Sequence, residues 1–180
     1  MLDGRFAKAA FLKPLAPLTV TSRGRSVRLS AGSVEQFLAQ ELHEGRLQPR
    51  PGGASRYTVL LHCTEQTAEP ETGVRWKAIF AAFGAELSVA RTGCCGMAGM
   101  FGHQAEHQSM SRRLFDLSWR DAVSIAPAHT ILATGFSCRC QTERLAGFRP
   151  RHPAAALLDL VSQPSYQSAG GDIPQLAPTL

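Results

Sequence analysis

No stretch of the sequence approaches the roughly 18 consecutive apolar residues of a membrane-spanning helix, and the N-terminus lacks the basic, apolar and small-residue order of a secretory signal. These two absences predict a soluble, cytoplasmic protein with no membrane span. A Gly-rich phosphate loop closed by lysine is also missing, so nothing supports nucleotide hydrolysis. No C-x-x-C pair and no internal repeat occur. Five cysteines, an odd number with two of them adjacent, are poor material for a framework of paired disulfides. They favour metal or redox chemistry in a reducing compartment.

The net charge of +5 suggests nucleic acid until it is located. Residues 1–56 carry nine Lys/Arg against four Asp/Glu, whereas residues 57–180 carry ten of each. The excess lies in the N-terminal third, away from the cysteines, and "RGRSVR" has no interleaved aromatics to make a phosphate-binding face. Nucleic acid is therefore not an expected partner.

With 180 residues, 44% of them hydrophobic, the chain can bury one core of α/β type. Residues 1–32 mix Pro14, Pro17, Gly24 and Gly32 with short apolar runs and read as a linker or loosely attached arm. Residues 33–55 hold a helix and a hinge. Ser33 caps the helix, Gln36 stands at the capping-box position, Phe37, Leu38 and Leu42 form an apolar stripe, and Gly45 ends it. Residues 56–162 alternate between two periods. "YTVLLHC", "ELSVART" and "HTILATG" read as strands; "GVRWKAIFAAFG", "SMSRRLFDLSWRDAVSIA" and "HPAAALLDLV" read as helices, the second with Leu114, Leu117 and Ala122 inward. This alternation predicts a small parallel sheet with flanking helices. Residues 163–180, rich in Gly, Pro and Ser, are predicted to be a disordered tail.

In that arrangement Cys63, the Cys94–Cys95 pair and Cys138 all fall just past the C-terminal ends of strands, where ligands of open α/β sheets gather. Thiolates are soft ligands for zinc, copper(I) or iron–sulfur clusters, and several must converge to hold one. Adjacent side chains diverge in extended backbone, so Cys94 and Cys95 can share a site only at a turn, which Gly93, Gly96 and Gly99 permit. A helix starting at Met97 would aim its amide dipoles at these thiolates and lower their pKa. Buried free cysteines and a structural zinc site are the competing readings.

Two histidines follow. "HQAEH" matches a zinc-peptidase pattern in which His103 and His107 share a helical face with Glu106 as base, but a peptidase needs a third ligand and a larger scaffold. His103 and His107 either face the cysteine site or a partner, where they could donate hydrogen bonds to sulfur or relay protons, or simply lie on a surface helix, and His62 beside Cys63 is open to the same two readings. Trp76 and Trp119 read as packing residues.

The "CCG" at Cys94–Gly96, with one cysteine upstream and another downstream, resembles the cysteine-rich CCG domain of heterodisulfide reductase subunits and glycolate oxidase iron–sulfur subunits. The words "LLHCTEQTA", "TGCCGMAGMFGHQAEH", "LSW", "ATGFSCRCQ" and "RHPAAALLDL" more closely resemble the C-terminal iron–sulfur region of FAD-linked dehydrogenases acting on D-2-hydroxyacids such as D-2-hydroxyglutarate or D-lactate. The likeness runs in order from about Tyr57 to Val161. It implies an electron-transfer domain, a C-terminal fragment or separate subunit, that is not catalytic alone. A cluster, of 4Fe–4S type, would be held by Cys63, Cys94, Cys95 and Cys138, with His62, Gly96, His103 and His107 around it. FAD would reside in a partner or a preceding part, and the partners would be a flavoprotein dehydrogenase and an electron acceptor. The general CCG pattern continues with C-x-x-C, whereas this chain has "CRC" and places Gln141 where the second cysteine would stand. Cys140 is expected to lie off the site, because a helix opening at Cys138 turns it about 200° away. The alternative is a non-catalytic module stapled by zinc or lacking a cluster.

Overall fold

The computed structural model describes residues 18–22, 25–29, 32–48 and 55–162. Most of the expected arm, the centre of the hinge and the whole of the expected tail lie outside these. Within the arm, Leu18–Ser22 (β1) and Arg25–Leu29 (β2) pair antiparallel, a hairpin that the irregular sequence pattern does not announce. Val34–His43 (α1) follows, with the Ser33 N–H donating to the Gln36 side-chain oxygen at 3.0 Å as the capping-box spacing predicts.

Three parallel strands carry the rest. Arg56–Leu60 (β3) lies between Glu86–Ala90 (β4) and Ile131–Ala133 (β5). Cys63–Ala68 (α2) and Thr72–Ala82 (α3) connect β3 to β4. Gln108–Ser118 (α4) lies between β4 and β5, and Phe136–Ala146 (α5) and Pro153–Ser162 (α6) complete the domain. The α/β class with a small parallel sheet is as the alternating periods predict.

Strand side chains alternate between faces, and each face has its own apolar layer. Tyr57, Val59 and Leu61 join Trp76, Ile79 and Phe80 of α3 and Ala156, Leu157 and Leu160 of α6 on one side. Leu60, Ile131 and Ala133 face the other way and pack with Phe115, Trp119, Cys95, Met97 and Cys138. Trp76 and Trp119 are both packing residues, exposed by 1% and 0%. The second layer therefore runs into the cysteines.

Three local expectations need correction. The first strand ends at Leu60 and not at Cys63, because His62 caps a new helix: its Nδ1 accepts from the Thr64 N–H at 3.3 Å. No helix starts at Met97; two short 3-10 turns, Phe101–His103 and Ala105–His107, precede α4. Leu117 is 84% exposed, not inward, because α4 turns Ser111 and Phe115 to the core.

Candidate metal centre

Four thiols arrive from three strand ends. Cys63 is the first residue of α2 after β3, Cys94 and Cys95 lie in the turn after β4, and Cys138 sits in the first turn of α5 after β5. All five cysteines are unbridged. Cys95 and Cys138 are almost wholly buried, and Cys63 and Cys94 are half-buried. The four thiols lie near enough to shift one another's ionisation: Cys63 and Cys95 act on Cys94 and on Cys138. Cys140, half-buried, lies two residues beyond Cys138 on α5, a rotation of about 200° about the helix axis.

The electrostatics follow from who donates to whom. The Cys138 thiol donates to Cys95 and, against the cost of burial, brings the Cys95 pKa down to about 7; the N–H groups of Met97 and of Cys95 itself face the same sulfur, and the Cys94 thiol adds to them. Cys138, as the donor and a buried one, is held far above the ordinary thiol range. Cys94 is raised by burial, although the Gly96 N–H donates to its sulfur at 3.3 Å. Thiolate stabilisation at this turn thus comes from turn amides and a neighbouring thiol, not from the helix dipole that the sequence suggests.

The turn itself depends on glycine where a side chain cannot enter. Gly96 has φ +89°, and a Cβ there would lie 2.2 Å from the Ser111 carbonyl oxygen. The Gly96 carbonyl accepts from the Ser111 hydroxyl at 2.7 Å, and that hydroxyl accepts from Gln141 Nε2 at 2.8 Å. Arg144 of α5 donates to the Gly102 carbonyl at 3.0 Å. Before the pair, the Gly93 N–H donates to the Ser118 hydroxyl and the Gly93 carbonyl accepts from Trp119 Nε1.

Two further links join the strand ends. Gln66 Nε2 donates to the Leu61 carbonyl at 3.0 Å and to the Thr92 carbonyl at 3.1 Å, joining the exits of β3 and β4. The His62 N–H donates to Thr134 Oγ1 at 2.9 Å, and that hydroxyl donates to the Glu65 carboxylate, joining β3 to β5. Gly135 has no room for a side chain: a Cβ would lie 2.5 Å from the His62 ring and 2.8 Å from Cys138 Sγ. The His62 ring thus lies beside Cys138 Sγ, and Gly96 lies at the Cys94 sulfur. His103 is exposed, whereas His107 stacks on Phe101 at 4.3 Å and bonds the Gln104 side chain at 2.8 Å. They occupy separate turns rather than one helical face, so the peptidase pattern is not formed.

Ser111, Ser118, Trp119, Thr134, Gly135 and Gln141 were not singled out as site residues by sequence reasoning. Some lie inside the quoted words "LSW" and "ATGFSCRCQ", but only the tertiary contacts give them a role. Among the described residues, no three His, Cys, Asp or Glu side chains are arranged to hold a single metal ion. No described helix is long and apolar enough to cross a membrane.

These features define a small α/β unit with four thiols gathered at one sheet edge. The chain is related to D-2-hydroxyglutarate dehydrogenases: it is 44% identical over 128 residues to that of Pantoea ananatis, 42% over 134 to that of Escherichia coli and 34% over 148 to that of Pseudomonas putida. The matches cover 71%, 72% and 82% of this chain but only 12%, 13% and 14% of those proteins. The similarity therefore concerns about an eighth of the length of the curated relatives. No family model matches, and no solved structure matches.

Proposed function

We propose that this chain is a CCG-type electron-transfer domain, part or subunit of an FAD-linked oxidoreductase acting on D-2-hydroxyacids, that holds a 4Fe–4S cluster through Cys63, Cys94, Cys95 and Cys138. The observation that carries the reading is the convergence of thiols separated by 30 and more residues to within electrostatic reach of one another, with the Gly96 N–H donating to Cys94 Sγ at 3.3 Å. The donor set fits the group: four soft ligands, two almost fully buried, with N–H groups to compensate anionic sulfur.

When bound, the cluster would supply one-electron transfer, and the residues around it would exclude water and fix the sulfurs. Each thiol would lose its proton on becoming a ligand. The four thiolates of a cluster bind separate irons and need not point at one centre. A single zinc ion requires that they do. The flavin and the hydroxyacid site belong, on this reading, to a partner domain or subunit.

Protein purified without oxygen and analysed for iron, acid-labile sulfide and zinc tests the proposal. The expected result is a brown protein with about four irons and four sulfides per chain. A colourless protein with stoichiometric zinc, or one binding no metal after reconstitution, would overturn it.

A further inference from the structure

Gln141 occupies the place where the general CCG pattern has a cysteine, and its side chain does something specific there. It is 1% exposed, and its Nε2 donates to the Ser111 hydroxyl at 2.8 Å. Ser111, 2% exposed, passes its own proton to the Gly96 carbonyl at 2.7 Å. That carbonyl belongs to the peptide whose N–H is that of Met97, and this N–H faces the sulfur of Cys95. Donor and acceptor alternate from Gln141 of α5 through Ser111 of α4 to the Gly96 carbonyl.

We propose that Ser111 and Gln141 are positioning residues that polarise the Gly96–Met97 peptide and so strengthen its hydrogen bond to the Cys95 sulfur, setting the electron affinity of the metal centre. This rests on the reading of Cys95 as a cluster ligand. The physical reason is cooperativity: an amide whose carbonyl accepts a hydrogen bond becomes a better N–H donor, by about 10–30% per bond. Burial keeps water from substituting for either link. A second consequence is geometric. Ser111 fixes the Gly96 carbonyl while its own backbone oxygen lies against the Gly96 Cα, so the peptide cannot rotate its N–H away. Hydrogen bonds to cluster sulfurs stabilise the more negative, reduced state and raise the potential.

Two measurements test this. In the metal-free protein, Ser111→Ala should move the Met97 amide proton resonance upfield and speed its exchange, and Ser111→Thr, which keeps the hydroxyl, should restore both. In the reconstituted protein, Ser111→Ala should move the midpoint potential to more negative values, by the equivalent of about a two- to threefold change in the oxidised-to-reduced ratio at fixed potential. Gln141→Met keeps the volume and removes only the outer donor, so it should give a smaller shift of the same sign. It also serves if Ser111→Ala does not fold. A Met97 amide indifferent to the folded variants, or an unchanged potential with the amide shifted, would overturn the inference. Failure of the parent protein to bind iron would instead count against the electron-transfer reading, while the amide measurement would still decide whether the relay exists.

Discussion

Trp119 Nε1 donates a hydrogen bond to the carbonyl of Gly93 at 3.0 Å, while its neighbour Ser118 accepts from the Gly93 N–H. Both peptide groups of the residue preceding Cys94 are thereby held by the end of α4. The indole of Trp76 is equally buried, but its Nε1 has no hydrogen-bond partner among the described residues. One tryptophan positions the two-cysteine turn and the other only fills the core.

Trp119→Phe should therefore reduce iron retention, with a stability loss of about 1–3 kcal/mol from the missing hydrogen bond and lost volume. Trp76→Phe should lose comparable stability through volume alone and keep its iron. Urea unfolding and iron analysis of the two variants side by side separate the roles.

Replacing Gly96 tests the turn. Gly96→Ala forces a positive φ on alanine and drives its Cβ into the Ser111 carbonyl, so a loss of about 2–5 kcal/mol is expected. Gly99→Ala shares the positive φ but meets nothing within 4 Å, and should cost only about 1–2 kcal/mol. Similar losses for both, measured by equilibrium unfolding, would mean that contact with Ser111 does not constrain the turn.

The ligand assignment predicts that serine at Cys63, Cys94, Cys95 or Cys138 abolishes stable reconstitution. Cys140→Ser should keep the iron content and visible spectrum of the parent. If Cys140→Ser bleaches the protein while Cys63→Ser does not, Cys138 and Cys140 form a local pair and the set is misassigned.

In the metal-free protein, ultraviolet thiolate absorbance should report a first titration near pH 7 that is missing in Cys95→Ser, because the neighbouring thiol and the turn amides bring Cys95 down from 9.0 to about 7. A depressed folded pKa contributes stability that is full above the unfolded value near 9 and lost as pH falls through about 7. Cys138 shifts the opposite way, so its contribution is full below 9 and lost as pH rises further. Metal-free stability should accordingly rise between pH 7 and 9 and decline beyond.

On the proposed reading the flavin that takes the hydride equivalent lies in a partner domain or subunit, so the isolated chain is expected not to oxidise D-2-hydroxyglutarate or D-lactate with an artificial acceptor. Turnover by the pure chain would overturn its assignment as an electron-transfer domain.

The sequence by itself determined the α/β class and the approximate strand ends, because β-type apolar runs alternating with amphipathic stretches leave few other ways to bury those side chains. It also determined a helix at Cys138; in the structure that helix runs Phe136–Ala146 and stops at Gly147, whose φ of +80° is the left-handed end that glycine supplies. Local signals were enough wherever neighbours along the chain decide the conformation. They misled at Met97, where a helix is expected although Gly99 and Gly102 follow and the chain instead makes the turn that Ser111 holds, and at Leu117, whose apolar character gave no information on which side of α4 the core lies. Only the tertiary structure decided that Cys63, Cys94, Cys95 and Cys138 come within electrostatic reach of one another, that Gly93 is clasped by Ser118 and Trp119, and that Gln141 reaches the Gly96 carbonyl through one serine. The hydrogen bonds among these join residues 15 to 30 positions apart, and such pairings are set by how the helices pack on the sheet, which no local pattern encodes.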